Sequence, residues 1–84
     1  MTTEQIYAEL TRIFREVFQD ENLVIGSTTT AEDVNGWDSA THVNLLLAIE
    51  MELNVVFNTG EIDAMRTVGD LVDAIERKLV KPNS

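Results

Sequence analysis

Cysteine is absent from this sequence of 84 residues. That absence excludes disulfides, cysteine-ligated zinc, iron–sulfur clusters and thiol catalysis. Histidine is nearly absent too, because His42 is the only imidazole available as a ligand or base. No apolar run approaches the roughly 20 residues of a membrane span, and the polar first residues are not typical of a signal peptide. We therefore expect a soluble, cytoplasmic protein.

Positive charge is also scarce. There are 6 Lys and Arg residues against 15 Asp and Glu, which gives a formal net charge of −9. An acidic surface repels nucleic acid and anionic lipid, and it attracts partners with basic patches. Nucleic acid is therefore not expected as a partner. The same charge is equally consistent with a role only in keeping the protein soluble and monomeric.

Hydrophobic periodicity predicts an all-α protein. A first amphipathic helix is expected over about residues 3–18, begun by a capping box between Thr2 and Gln5. The helical period is then lost from Gln19 to Trp37, although apolar residues are available to pack this long loop. These residues are Leu23, Ile25, Val34 and Trp37.

A second helix is predicted after the cap residue Asp38, running to about Leu53. A short third helix begins at Asn58 or Thr59 and runs to about Met65. The last helix is expected to begin at a capping box of Thr67 and Asp70, with cations in its last turn and a proline stop. The C-terminal residues concerned are Arg77, Lys78, Lys81 and Pro82. The prediction is a single domain over residues 1–84, a four-helix bundle with a long loop between helices one and two and a short third helix.

The second helix carries two apolar arcs. One arc suits the bundle core and consists of Leu45, Leu46, Ile49 and Leu53. The other, called the second stripe below, consists of Ala40, Val43, Leu47 and Met51, and Glu50 lies beside it. An additional apolar stripe is either covered by the long loop or used to dock a partner. Sequence geometry leaves both alternatives open.

Ser39 lies at the first turn of this helix, where backbone N–H groups and the helix dipole favour a phosphate. A serine in this position is more often only a capping residue. A nucleophile–base pair with His42 is disfavoured, because there is no G-x-S-x-G elbow and no obvious orienting acid. We expect His42 to be a half-buried, satisfied histidine. The carboxylates lack EF-hand spacing around the glycines, so no dedicated metal site is predicted.

Three neighbouring segments match a known pattern. The segments Gly36-Trp37-Asp38-Ser39, Thr41-His42-Val43-Asn44-Leu45 and Ala48-Ile49-Glu50 resemble the phosphopantetheine attachment region of acyl carrier proteins. The predicted helix order and the segment Thr67-Val68-Gly69-Asp70-Leu71 match as well, so the resemblance covers essentially the whole chain.

The resemblance implies a carrier protein that is not an enzyme. Ser39, preceded by the matching Asp38, would receive 4′-phosphopantetheine from coenzyme A through a separate magnesium-dependent phosphopantetheinyl transferase. The thiol of the arm would then carry an acyl group as a thioester between enzymes. The core arc, with Phe57 and Ile62, would open to shelter an acyl chain.

The resemblance also implies a partner surface on the second helix, where partner enzymes of the family dock. The matching and adjoining positions are Ala40, Val43, Leu47, Glu50 and Met51. The expected partners are acyl-transferring or synthase enzymes with basic patches, from fatty acid, polyketide or related lipid biosynthesis.

Two departures from the family pattern point to a carrier that serves a particular pathway. Ala40 stands where the family usually has leucine or another large apolar residue, and Thr41 and Asn44 stand where fatty-acid-synthesis carriers often have acids. Ala40 also keeps open an alternative function, that of a carrier-like interaction module that is never modified.

Overall fold

The computed structural model describes residues 2–79. Its α-helices are α1 (Thr3–Val17), α2 (Ser39–Leu53), α3 (Thr59–Ala64) and α4 (Val68–Leu79). The described residues form no β-strand, and the only β-type pairing among them is an isolated antiparallel bridge between Thr30 and Thr67. The predicted all-α four-helix bundle, with its long first loop and short third helix, is confirmed. The expectations for Lys81 and Pro82 lie outside the described residues.

Reciprocal capping boxes begin three of the helices. In each box a side chain accepts a hydrogen bond from the backbone three residues ahead, and the side chain there accepts one in return. For α1, Thr2 Oγ1 accepts from the N–H of Gln5 at 3.1 Å, and Gln5 Oε1 accepts from the N–H of Thr2 at 2.8 Å. The remaining boxes are Asn58 with Glu61, before α3, and Thr67 with Asp70, before α4. Because such boxes are local, they account for the close agreement between predicted and observed helix starts.

Helix α1 is the centre of the core, since it packs against both α2 and α4. Its buried side chains are Ile6, Leu10, Ile13 and Phe14. The predicted core arc of α2 is buried at Leu45, Leu46 and Ile49, and half-buried at Leu53. From α4 the buried residues are Val68, Leu71, Val72, Ala74 and Ile75. Helices α2 and α4 are therefore held in place by one shared apolar surface.

The loop from α1 to α2 is tied to the start of α4. The N–H of Val68 donates to Thr29 O at 2.8 Å, and the N–H of Gly69 donates to Ser27 O at 2.9 Å. First-turn N–H groups have no partner inside their own helix, so the loop supplies carbonyls that α4 needs. Further apolar loop residues pack inward as expected, with Val34 buried and Leu23, Ile25 and Trp37 against the core.

A 3-10 turn at Ala31–Asp33 interrupts this loop and was not predicted. Asp33 Oδ2 accepts from the N–H of Thr30 at 2.9 Å, which begins the turn in the manner of a helix cap. The spacing of Thr30 and Asp33 is the sequence signal that accompanies it.

The contact between Gly69 and Ser27 predicts that Gly69→Ala destabilises the fold. An added Cβ would lie 2.7 Å from Ser27 O, a backbone atom that cannot rotate away. We expect a loss of roughly 1–3 kcal/mol in the free energy of unfolding from this overpacking, in spite of alanine's higher helix propensity. Urea unfolding followed by circular dichroism measures it.

Gly26→Ala is the matched control in the same loop, because a Cβ there meets no atom within 4 Å. Its stability should stay within about 1 kcal/mol of the wild type. Equal effects of the two substitutions would contradict a tight contact between the loop and α4.

Candidate functional site

The turn into α2 is built around Gly36. Its φ of +88° lies in the left-handed region, which a residue with a Cβ adopts only with strain. The N–H of Asp38 donates to Gly36 O at 3.1 Å and closes the turn. Trp37 is thereby turned toward the core while Asp38 and Ser39 stay exposed.

Trp37 anchors this turn to α1 and to α2. Its ring packs edge-on against Phe14, with centroids 5.3 Å apart, and lies 5.9 Å from Phe18. Its indole Nε1–H donates to Nδ1 of His42 at 3.0 Å, and the two rings stack. His42 is therefore the half-buried, satisfied histidine that was expected. Its Nδ1 accepts from Trp37 and is not directed at Ser39 as a base.

Asp38 caps α2 as predicted. Its Oδ1 accepts from the backbone N–H of Thr41 at 2.9 Å and from the Thr41 hydroxyl at 3.0 Å. These hydrogen bonds, the backbone bond first, hold the pKa of Asp38 below its ordinary value because they favour the ionised carboxylate. Ser39 follows as the first residue of α2, and its side chain is exposed.

Ser39 lies on the rim of an open groove of about 430 Å³, called the Ser39 groove below. The first loop, the start of α2, and α3 with the linker to α4 all contribute to its walls. The lining residues are Ala31, Trp37, Asp38, Ser39, His42, Ile62, Asp63, Met65 and Arg66. Of these, only Asp38 and Ser39 were predicted as site residues, and Ile62 was expected to help shelter an acyl chain. Nothing in the local sequence of Met65 or Arg66 marks them as part of a site.

The second stripe is exposed to solvent. The exposed fractions are 54% for Val43, 52% for Leu47 and 84% for Met51, and Ala40 is exposed as well. The first loop packs on the core and α4 instead, so the alternative in which loop residues cover the stripe is wrong. Apolar side chains exposed side by side on one helix face are typical of a docking surface.

The acidic residues of α2 are partly engaged within the fold. Glu50 is half-buried, and its Oε2 accepts from the N–H of Phe57 at 2.8 Å. Glu52 Oε1 pairs with Arg12 of α1 at 2.6 Å. Thus Glu50 holds the chain after α2 in place, and its contribution to docking stays a prediction.

Comparison with known proteins gives consistent relatives. Three proteins named acyl carrier protein are similar along most of the chain. The one from Thermotoga maritima is 32% identical over 77 residues, which cover 90% of this chain and 94% of that protein. The one from Coprothermobacter proteolyticus is 31% identical over 80 residues, 94% of this chain and 96% of that protein. The chain belongs to the acyl carrier protein family.

The other comparisons agree. The acyl carrier protein of Thermosynechococcus vestitus is 35% identical over 60 residues, 71% of this chain and 73% of that protein. The solution structure of a holo acyl carrier protein from Geobacter metallireducens superposes with a TM-score of 0.83 at 40% identity, covering 87% of this chain and 84% of that one. No family model matches the sequence.

The relatives are named as carriers, and that function is the one the family gives this chain in general terms. Within residues 2–79, none of the helices is long and apolar enough to span a membrane.

The Asp38 cap predicts a specific pH dependence. Because the folded-state pKa lies below the ordinary aspartate value, Asp38 contributes stability above about pH 4, and this contribution is lost as the pH falls through the folded pKa. An asparagine in its place does not titrate and still caps a helix. We expect Asp38→Asn to lower the melting temperature at pH 7, with the difference from the wild type shrinking toward pH 2.

Asp63→Asn is the control for this experiment. Asp63 is exposed on α3 and makes no side-chain hydrogen bond or ion pair with the described residues. A difference for Asp38→Asn that stayed constant from pH 7 to pH 2 would show that its charge contributes nothing to the cap.

Proposed function

We propose that this acyl carrier protein family member carries acyl groups as thioesters on a 4′-phosphopantetheine arm attached to Ser39, and that residues 1–84 form a single carrier domain. The observation that carries the proposal is the exposed Ser39 at the first turn of α2, directly after the Asp38 cap. A relative solved in the holo form supports the same assignment.

The residues around Ser39 fit a phosphopantetheine arm. The N-terminal end of α2 favours the phosphate of a phosphodiester, since its first N–H groups and dipole point there. The Ser39 groove offers the arm a path along Trp37, Ile62 and Met65, whose apolar surfaces suit its methyl and methylene groups. When bound, the arm supplies a thiol, which the chain itself lacks because it has no cysteine.

The acyl chain has two places to go. The open groove beside Ser39 holds a short group without any change in the core. A longer chain would have to displace core residues such as Leu46 and Phe57, which are buried and packed together, near the half-buried Ile62. We therefore propose that the core opens only for long acyl chains.

The second stripe is the proposed docking surface for the phosphopantetheinyl transferase and for acyl-transferring or synthase enzymes of fatty acid, polyketide or related lipid biosynthesis. Docking would remove its exposed apolar side chains from water, which is favourable, and the flexible side chain of Met51 can adapt to differently shaped partners. The net charge of −9 would steer partners with basic patches toward the chain.

A carrier-like interaction module that is never modified is the second candidate function. Ala40 favours it, because this small exposed residue lies next to Ser39 where a transferase would find a large apolar contact in typical relatives.

Loading of the arm tests the proposed function. We expect the apo protein to gain the mass of one phosphopantetheine after incubation with coenzyme A, Mg²⁺ and a broad-specificity phosphopantetheinyl transferase. Ser39→Ala should gain nothing, while its circular dichroism stays helical because Asp38 still caps α2. Intact mass spectrometry measures the gain.

Ala40→Leu extends the experiment, since it restores the larger side chain and should load faster than the wild type. A transferase that loads neither protein would favour the interaction module. Loading of Ser39→Ala would show that the arm attaches elsewhere.

Leu47→Glu tests the docking surface. We expect it to slow loading at least tenfold, because a carboxylate at the middle of the second stripe must be desolvated against the partner. Val56→Glu is the matched control, as Val56 is 75% exposed but lies outside α2, beside Arg77 and Lys78. If the loading rate fell equally in both variants, the second stripe would not be the docking surface.

A further inference from the structure

Arg66 is the only lysine or arginine that lines the Ser39 groove, as far as residues 2–79 show. Of the four other Lys and Arg residues within 2–79, three have hydrogen-bond or ion-pair partners. Arg12 pairs with Glu9, Glu16 and Glu52, and Arg15 Nε donates to Leu23 O at 2.8 Å. Lys78 pairs with Glu61 at 2.8 Å.

The Arg66 guanidinium, by contrast, makes no hydrogen bond and no ion pair within 4.0 Å to any described residue. Arg77 is the one other arginine in this condition among residues 2–79, and it lines a different groove, between α3 and α4. The two arginines therefore differ in one respect that matters here, which is the presence of Ser39 in the groove of Arg66.

The backbone of Arg66 is held in place although its side chain is exposed. Its N–H donates to Asp70 Oδ2 at 3.0 Å, and the next residue, Thr67, forms the bridge to Thr30 of the first loop. The guanidinium thus extends from a fixed point at the junction of three segments. A cation presented in this way loses little backbone freedom when it binds an anion.

The electrostatics of the groove call for a cation once the arm is attached. Asp38 and Asp63 line the groove, and Asp38 is held in its ionised form by Thr41. A phosphodiester on Ser39 adds a third negative charge beside them. Arginine is the side chain best suited to the oxygens of a phosphate, because its planar fork donates two parallel hydrogen bonds.

We infer that Arg66 binds the phosphate of the arm on Ser39 and so positions the arm along the Ser39 groove. The inference rests on the proposed function, because it requires the phosphodiester at Ser39. Arg66 acts here as a positioning residue, and no bond is made or broken by it.

A thermodynamic cycle between the apo and holo proteins tests the inference. Arg66→Gln removes the charge in both forms, so any purely structural role of Arg66 lowers both melting temperatures equally. We expect the melting temperature of the holo protein to fall by about 1–8 °C more than that of the apo protein, which is the range that an exposed ion pair gives in a domain of this size. In 1 M NaCl, where the screening length is about 3 Å, this additional loss should shrink.

Arg77→Gln is the matched control, since it removes the same charge outside the Ser39 groove. It should change the apo and holo melting temperatures equally. Arg66→Lys should recover part of the holo stability, because it keeps the charge but not the fork.

Nuclear magnetic resonance gives a direct second readout. The ³¹P resonance of the phosphodiester should shift between the wild-type holo protein and its Arg66→Lys variant. The Nε–H resonance of Arg66 should shift between the apo and holo forms of the wild type.

The mass of every apo and holo sample is verified before these measurements, which separates the two hypotheses. A chain that cannot be loaded overturns the proposed function and, with it, the role of Arg66. If the chain can be loaded but Arg66→Gln lowers the melting temperatures of the apo and holo forms equally, only the role of Arg66 is overturned.

Discussion

The position of Ser39 depends on the packing of Trp37. The indole lies against Phe14 in the centre of the bundle and donates its only N–H to His42, one turn into α2. Gly36 on one side and the Asp38 cap on the other leave the chain little freedom between them. The position of Ser39 is therefore fixed relative to α1. This holds although Ser39 follows a long loop whose only regular secondary structure is one short 3-10 turn. The backbone that carries the Ser39 hydroxyl is thereby held in one position, as the proposed attachment of an arm requires.

The same loop organises the opposite wall of the Ser39 groove. Its carbonyls satisfy the first N–H groups of α4, and this pairing fixes the linker that carries Met65 and Arg66. Three segments far apart in sequence thus converge beside one serine. This small bundle therefore forms an open groove at the meeting of three segments, because, within the described residues, buried apolar side chains fill its core and leave no deep pocket there.

Helix α2 serves two surfaces at once. Its core arc holds the bundle together with α1, while the second stripe stays in water at a cost in free energy that burial against a partner would recover. The two carboxylates of α2 are occupied, Glu50 by the backbone of Phe57 and Glu52 by Arg12. Attraction to basic partners would therefore come from the charge of the whole surface more than from these two residues.

Local sequence determined the helices and their starts, because capping boxes and apolar periodicity involve residues only three or four positions apart. Thr2, Asp38, Asn58 and Thr67 all begin helices where their spacing predicts it. The resemblance to a phosphopantetheine attachment motif also lies in neighbouring residues, whereas attachment at Ser39 itself stays a proposal. Tertiary structure alone decided that the second stripe is exposed, that Trp37 bonds to His42 and that Arg66 lines the groove of Ser39. These features depend on contacts between segments that are far apart in sequence, and local residue spacing does not predict such contacts.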